Sequence, residues 1–228
     1  MATVAVDIDD TLYDFNALSR EMICREAART GDEQLMNAAY SHWGEWRAPS
    51  DQLKERWLEI ISMCHQPEVI QAQQPFPGTY EVLWRIIEAG HNITYISNRD
   101  PATHDNTQFW LNCHGFPAPN GWDSFGQDLD HRVKLICTAA DKMPLIADCQ
   151  YIIDDRPKTL VKFVYDYDWK NRWGSKNAVM ARKGFALHRE YNAGLTDVPG
   201  IYLAKTWTLL DKFLVDKGVA APAEGVTV

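Results

Sequence analysis

The sequence predicts an α/β fold: a parallel sheet with helices on both faces, and a small helical segment inserted after the first strand. Three observations carry this. Short apolar runs such as Val4-Ala5-Val6 and Tyr151-Ile152-Ile153 end abruptly in acidic residues, and runs without alternation suit strands buried on both faces. Amphipathic helical patterns lie between the runs. From about Asn16 to Gln74 that alternation stops, and helical patterns follow one another with no strand between them.

The clearest strands are Val4 to Val6, Ile93 to Ile96, Val133 to Cys137 and Tyr151 to Ile153. The helix expected over Thr79 to Gly90 places Val82, Leu83, Ile86 and Ile87 on one face, and Gly90 is a good terminator. A second, over Ala102 to Gly115, is expected to bury Phe109, Trp110 and Cys113. A last one, over Thr206 to Gly218, would bury Leu209, Leu210, Phe213 and Leu214. Within the insertion the helical patterns run over Ala17 to Arg29, Glu33 to Trp46 and, after the N-cap candidate Ser50, Gln52 to Cys64. The turn signal Gln74-Pro75-Phe76-Pro77-Gly78 closes it. The expected division is a core of residues 1–15 and 75–219, an insertion of 16–74 and a loose tail of 220–228.

Composition narrows the function. Apolar residues make up 46% of the 228 and charged residues 24%, an ordinary globular balance. A net charge of −8 argues against duplex nucleic acid or an anionic membrane as partner. Five scattered cysteines without a C-x-x-C pair fit free thiols in a reducing compartment. The histidines show no zinc spacing, the N-terminus lacks a basic region before its apolar run, and no apolar run reaches membrane-spanning length. The expected location is the cytoplasm.

Chemistry concentrates at strand ends, where open α/β sheets bind ligands. Asp7-Ile8-Asp9-Asp10-Thr11 follows the first strand directly. A helix cap would use one acidic residue, not three. Asp154-Asp155 ends a second strand, and two acidic strand ends make a hard, oxygen-rich site suited to Mg²⁺. Ser97-Asn98-Arg99 ends a third; its hydroxyl, amide and backbone N–H groups can hold a phosphoryl oxygen, although such a tripeptide also makes an ordinary turn. Lys142, ahead of Met143-Pro144, can neutralise both a carboxylate and a phosphate, whereas Lys134 falls inside a strand.

Acidic strand end, serine strand end, lysine and acidic strand end, in that order, resemble the four motifs of the haloacid dehalogenase (HAD) superfamily across nearly the whole chain, with Asp7, Ser97, Lys142 and Asp154-Asp155 in the corresponding places. The helical segment is similar to the family's cap. Asp7 to Phe15, Asp141-Lys142 and Ile153-Asp154-Asp155-Arg156-Pro157 more closely resemble the 5′(3′)-deoxyribonucleotidases and related phage or bacterial nucleotidase-like proteins, except that Asp10-Thr11 replaces a glycine-containing pair. Ser97-Asn98-Arg99 is instead similar to a motif of some acid phosphatases.

The resemblance implies a Mg²⁺-dependent phosphomonoesterase with a HAD-like Rossmannoid core. Asp7 would be the nucleophile and Asp9 the acid/base. Ser97, Asn98 and Lys142 would hold phosphate; Asp7, the Asp9 carbonyl, Asp154 and Asp155 would hold the metal. The expected substrate is a small phosphorylated molecule, foremost a (deoxy)nucleoside monophosphate. Phe15 matches a position that packs against a nucleobase, with Trp43, Trp46 and Trp57 as candidate neighbours and Arg47 as a candidate for a phosphate or a base edge, though aromatics at helical spacing also make a small core. Alternatives are a phosphatase for another metabolite or for a polynucleotide end, or a silent binding protein of the same fold. A homodimer is carried as a candidate assembly with no residue pointing to it.

Overall fold

The computed structural model describes residues 1–41, 48–121, 126, 128–165 and 182–223. Six parallel strands form one sheet in the order β3-β2-β1-β4-β5-β6: β1 (Thr3–Val6), β2 (Asn92–Ser97), β3 (Val133–Cys137), β4 (Tyr151–Ile153), β5 (Lys183–Leu187) and β6 (Ile201–Ala204). The order reverses between β1 and β4, so a crevice opens at their carboxyl ends. Register places Val6 beside Ile153 on one side and Tyr95 on the other.

Both faces of the sheet are covered, as the unbroken apolar runs require. Val4, Val6 and Ile153 enter one core with Leu83, Ile86, Trp110 and Leu210. Ala5 and Ile152 enter the other with Ile146, Leu160 and Phe163. The covering helices are α5 (Thr79–Glu88), α6 (His104–Cys113), α7 (Pro157–Tyr165) and α8 (Trp207–Asp216). Gly90, with φ +82°, adopts the left-handed conformation expected after α5.

The insertion holds α1 (Phe15–Thr30), α2 (Glu33–Ser41), α3 (Lys54–Cys64) and a short α4 (Pro67–Gln71). Ile23, Ala27, Leu35, Leu53, Trp57 and Ile60 give it a hydrophobic cluster of its own. Asp14 caps α1 by accepting from the Ala17 N–H at 2.9 Å.

Several expectations are corrected. Ser50 makes no side-chain capping bond; a 3₁₀ turn, Asp51–Leu53, intervenes before α3. On α6 the buried face is Thr107, Trp110 and Leu111, while Phe109 is 52% exposed and Cys113 is exposed. On α8, Trp207 is buried in place of Leu209. The packed chain also runs past its expected end, since Ala220 is buried and the Ala221 N–H donates to the Arg85 carbonyl at 3.0 Å. Lys134 lies in β3 and faces solvent.

Candidate active site

The backbone brings the acidic strand ends together. The Asp7 N–H donates to the Ile153 carbonyl at 2.8 Å and the Asp154 N–H to the Phe185 carbonyl at 3.1 Å, which extends β1 and β4 into their acidic residues. Asp7, Asp154, Asp155 and Lys142 are all buried. Lys142 Nζ bonds to Asp7 Oδ1 and stands 3.5 Å from Asp154 Oδ2. Asp141 positions this lysine: its Oδ1 accepts from the Met143 N–H at 3.0 Å and its Oδ2 from Lys162 at 2.7 Å.

Burial pushes the Asp7 carboxyl up to about 6 against the pull of Lys142, with the charges on Asp154 and Asp9 adding to the rise. Burial also pushes Asp155 well above the usual carboxylate range, and Asp154, Asp10 and Asp7 push it further. On Lys142 burial pulls downward, but Asp7 and Asp154 win and raise it.

The donor set fits a divalent cation. Asp7, Asp154 and Asp155 each offer a carboxylate oxygen, all within 4.8 Å of one another. Among the described residues, Asp154 Oδ2 and Asp155 Oδ1 are buried acceptors without a hydrogen-bond partner. Leaving such atoms unpaired is costly, and a hard cation would satisfy them. The other Asp155 oxygen accepts from Tyr191 at 2.7 Å, and one Asp154 oxygen from the Arg156 N–H at 2.8 Å. The Asp9 carboxylate lies outside this group.

Asp9 faces the other way, into a buried network. Its carboxylate accepts from Tyr13 Oη at 2.7 Å, Ser97 Oγ at 3.0 Å, and Arg99 Nε and Nη2 at 3.1 and 2.7 Å. Burial pushes this carboxyl up, but Arg99 and the His65 imidazole more than offset it and hold it well below the usual range. Ser97 thus bonds to Asp9, while the Asn98 amide ties β2 to the β3–β4 connection through the Thr138 and Ala140 carbonyls at 3.3 and 3.1 Å. Tyr13, His65, Arg99 and Thr107 carry no signal along the chain that links them to Asp9. Only the adjacency of Arg99 to Ser97-Asn98 hinted at it.

Two recesses flank the crevice and share Asn98. One, of about 350 Å³, is lined by Lys142, Arg156, Lys158 and Lys162 among others. The second, of about 510 Å³, runs between α3–α4 and the segment after β2, with Ile61, Ser62, His65 and Gln66 facing Asp100, Thr103 and Asn106. Phe15 is fully buried and stacks on His65, and Trp57 is 2% exposed in the insertion's cluster. Trp43, Trp46 and Arg47 lie outside the described residues.

This fold is that of the HAD hydrolases. A HAD-family hydrolase of Deinococcus radiodurans R1, crystallised with phosphate and sodium, superposes with a TM-score of 0.57 at 13% identity, covering 98% of this chain and 99% of that one. A Clostridium difficile protein named as a phosphatase gives 0.57 at 13% identity over 93% and 98%. A phosphonoacetaldehyde hydrolase-like protein of Oleispira antarctica gives 0.52 at 13% over 95% and 92%. In sequence, a protein of Oceanobacillus iheyensis bearing a nucleotidase name is 27% identical over 85 residues, which are 37% of this chain and 41% of that relative. No family model matches. Among the described residues no helix is long and apolar enough to cross a membrane.

Proposed function

We propose that the protein is a Mg²⁺-dependent phosphomonoesterase that works through an aspartyl-phosphate on Asp7, with a (deoxy)nucleoside monophosphate as its foremost substrate class. One observation carries the reading: the buried Asp7 carboxylate is paired with Lys142 and sits within 4.8 Å of oxygens from Asp154 and Asp155. Phosphoryl transfer needs little beyond such positioning and charge neutralisation.

Asp7, Asp154, Asp155 and the Asp9 carbonyl would hold the ion, which neutralises charge on the phosphoryl oxygens. An Asp7 oxygen attacks phosphorus and the bond to the leaving oxygen breaks. Asp9, which takes up a proton when the phosphate dianion arrives beside it and offsets Arg99, delivers that proton to the leaving oxygen, releasing an alcohol, and takes one back from the water that then attacks the aspartyl-phosphate. Free phosphate leaves and Asp7 is restored. Lys142, the Asn98 backbone and Ser97, once it exchanges Asp9 for the phosphoryl group, bind the equatorial oxygens.

The nucleotide preference is supported by the nucleotidase-named relative and by the resemblance of Asp7 to Phe15 and Ile153 to Pro157 to nucleotidase motifs. The acidic composition and unpaired cysteines agree with a cytoplasmic enzyme acting on small molecules. Phosphate release from nucleotides and sugar phosphates, with Mg²⁺ and with a chelator, tests the reading. Asp7→Asn should keep its fold and lose turnover; near-normal release by a folded Asp7→Asn protein sinks it.

A further inference from the structure

Asp7 and Asp9 are two residues apart in a crevice that also holds Asp154 and Asp155, yet each has a separate buried cation. Lys142 bonds to Asp7. Arg99 grips both oxygens of Asp9, at 2.7 and 3.1 Å. Arg99 is 0% exposed, and its remaining arm donates to Thr107 Oγ1 on α6 at 2.9 Å. Its Nη2 also reaches Tyr13 Oη at 3.0 Å, so the guanidinium braces a second donor to Asp9. A forked, anchored guanidinium fixes direction as well as charge.

The consequence is a division of the carboxylates. Asp7, Asp154 and Asp155 converge on the candidate cation position, while Asp9 turns away from it, and His65, which lines the groove beneath α3, stands with Nε2 3.8 Å from its Oδ2. Tyr13 and Ser97 are neutral donors and could not hold a carboxylate against a nearby divalent ion. We propose that Arg99 is a positioning residue that keeps the Asp9 carboxylate beside His65 and out of the metal-binding cluster. This rests on Asp9 being the acid/base of the reading above. Arg99 touches no reacting atom; it acts through Asp9.

General-acid help matters most for a poor leaving group, so the test compares an alkyl phosphate with p-nitrophenyl phosphate. In Arg99→Lys, which keeps the charge and loses the fork, kcat on the alkyl ester should fall at least tenfold further than on the aryl ester, with KM little changed. Asp9→Asn should show the same pattern more strongly. Thr107→Val, which removes the anchor alone, should show it weakly, and either variant decides the matter if the other does not fold. Independently of turnover, the Mg²⁺ concentration that half-maximally raises the melting temperature should drop severalfold in Arg99→Lys, because a fourth carboxylate can then reach the ion. Wild-type turnover of both esters, with equal losses in the variants and unchanged Mg²⁺ affinity, overturns the inference alone. Absence of wild-type turnover on any phosphomonoester overturns the phosphatase reading and the inference with it.

Discussion

Phe15 stacks on His65, with ring centroids 4.8 Å apart and planes inclined by 26°, and His65 in turn stands beside Asp9. An aromatic at the mouth of the insertion therefore has one face against a neighbour that borders the Asp9 carboxylate. Phe15 itself is completely buried. Phe15→Ala should cost about 3–5 kcal/mol of stability, as large-to-small changes in packed cores do. Any loss of turnover would pass through His65, so it should be the same within about threefold for a nucleotide and for a small aryl phosphate. Denaturant melts and kcat/KM on the two substrates check this. A loss confined to the nucleotide would show that the ring meets the base when substrate is bound.

The Asp7 carboxyl makes a prediction with two opposite signs. Burial raises it to about 6, against roughly 3.9 in an unfolded chain. A nucleophile must be ionised, so at limiting Mg²⁺ phosphate release should climb through about pH 6 and then level off. Stability runs the other way. Below about pH 4 native and unfolded chains both hold this proton; between about 4 and 6 only the native chain does, so the contribution is lost as pH rises through that window. A bound divalent cation favours the carboxylate and should move the acid limb of the rate profile downward. Profiles at limiting and saturating Mg²⁺ test this; a limb at the same pH in both would detach it from Asp7.

The strand ends were legible because a fully buried strand reads as an apolar run that stops at its first polar residue. That places Asp7, Ser97 and Asp154 on the sheet without any knowledge of their partners. Lys142 was legible from its place just before Met143-Pro144 and from the Asp141-Lys142 pair that carries part of the family resemblance. Arg99 was not, since its relation to Asp9 spans 90 positions and depends on a long side chain folding back under the sheet. Strand β5 escaped because Gly184 sits in it. A Cβ there would stand 2.9 Å from the Leu160 side chain, so packing against α7, not strand propensity, chose the residue. Helix α4 is only five residues long, too short for a periodic signal. The face of α6 was misjudged because Trp110 and its neighbour Phe109 are both aromatic and only contact with the core separates them.

Asp154 Oδ2 and Asp155 Oδ1, which accept no hydrogen bond among the described residues, predict a metal effect on the fold itself. Three buried carboxylates converge there, and like charges that close destabilise the native state unless a cation compensates. A ligand bound only by the native state at 100 times its Kd stabilises by about 2.7 kcal/mol. Mg²⁺ should therefore raise the melting temperature saturably, and EDTA should reverse the rise. Asp154→Asn should remove most of the effect, since it replaces a carboxylate that has an orphaned oxygen. A melting temperature indifferent to Mg²⁺ up to tens of millimolar would mean that the cluster does not hold the ion.

Asp10 gives a stability prediction independent of catalysis. It takes the place of a glycine in the motif that the first strand end resembles, and its φ of +61° is a left-handed conformation that glycine adopts freely and Asp or Asn tolerates. Its Oδ1 accepts from the Asn16 N–H at 2.6 Å, satisfying an orphan donor at the start of α1. Its Oδ2 is buried and accepts no hydrogen bond among the described residues. Burial, aided by the charges of Asp14 and Asp9, pushes this carboxyl well above the usual range, although the Asn16 N–H and Arg189 pull against it. A carboxyl so raised is a stability cost at neutral pH, absent below its unfolded pKa and growing as pH rises toward its folded one. Asp10→Asn keeps the acceptor and the conformation but removes the charge, so it should be more stable than wild type at pH 7. That advantage should disappear below about pH 4, where the wild-type carboxyl is protonated in both states. Asp10→Gly should come out near neutral at pH 4, since relief of about 1 kcal/mol of left-handed strain offsets loss of a cap worth about the same, and at pH 7 it should gain further from removal of the charge. Asp10→Ala loses the cap and keeps the strain, and should be the least stable of the set. Urea melts of the three variants at pH 7 and pH 4 decide it: an Asp10→Asn protein less stable than wild type at pH 7 would show that the ionised carboxylate is favourable where it stands.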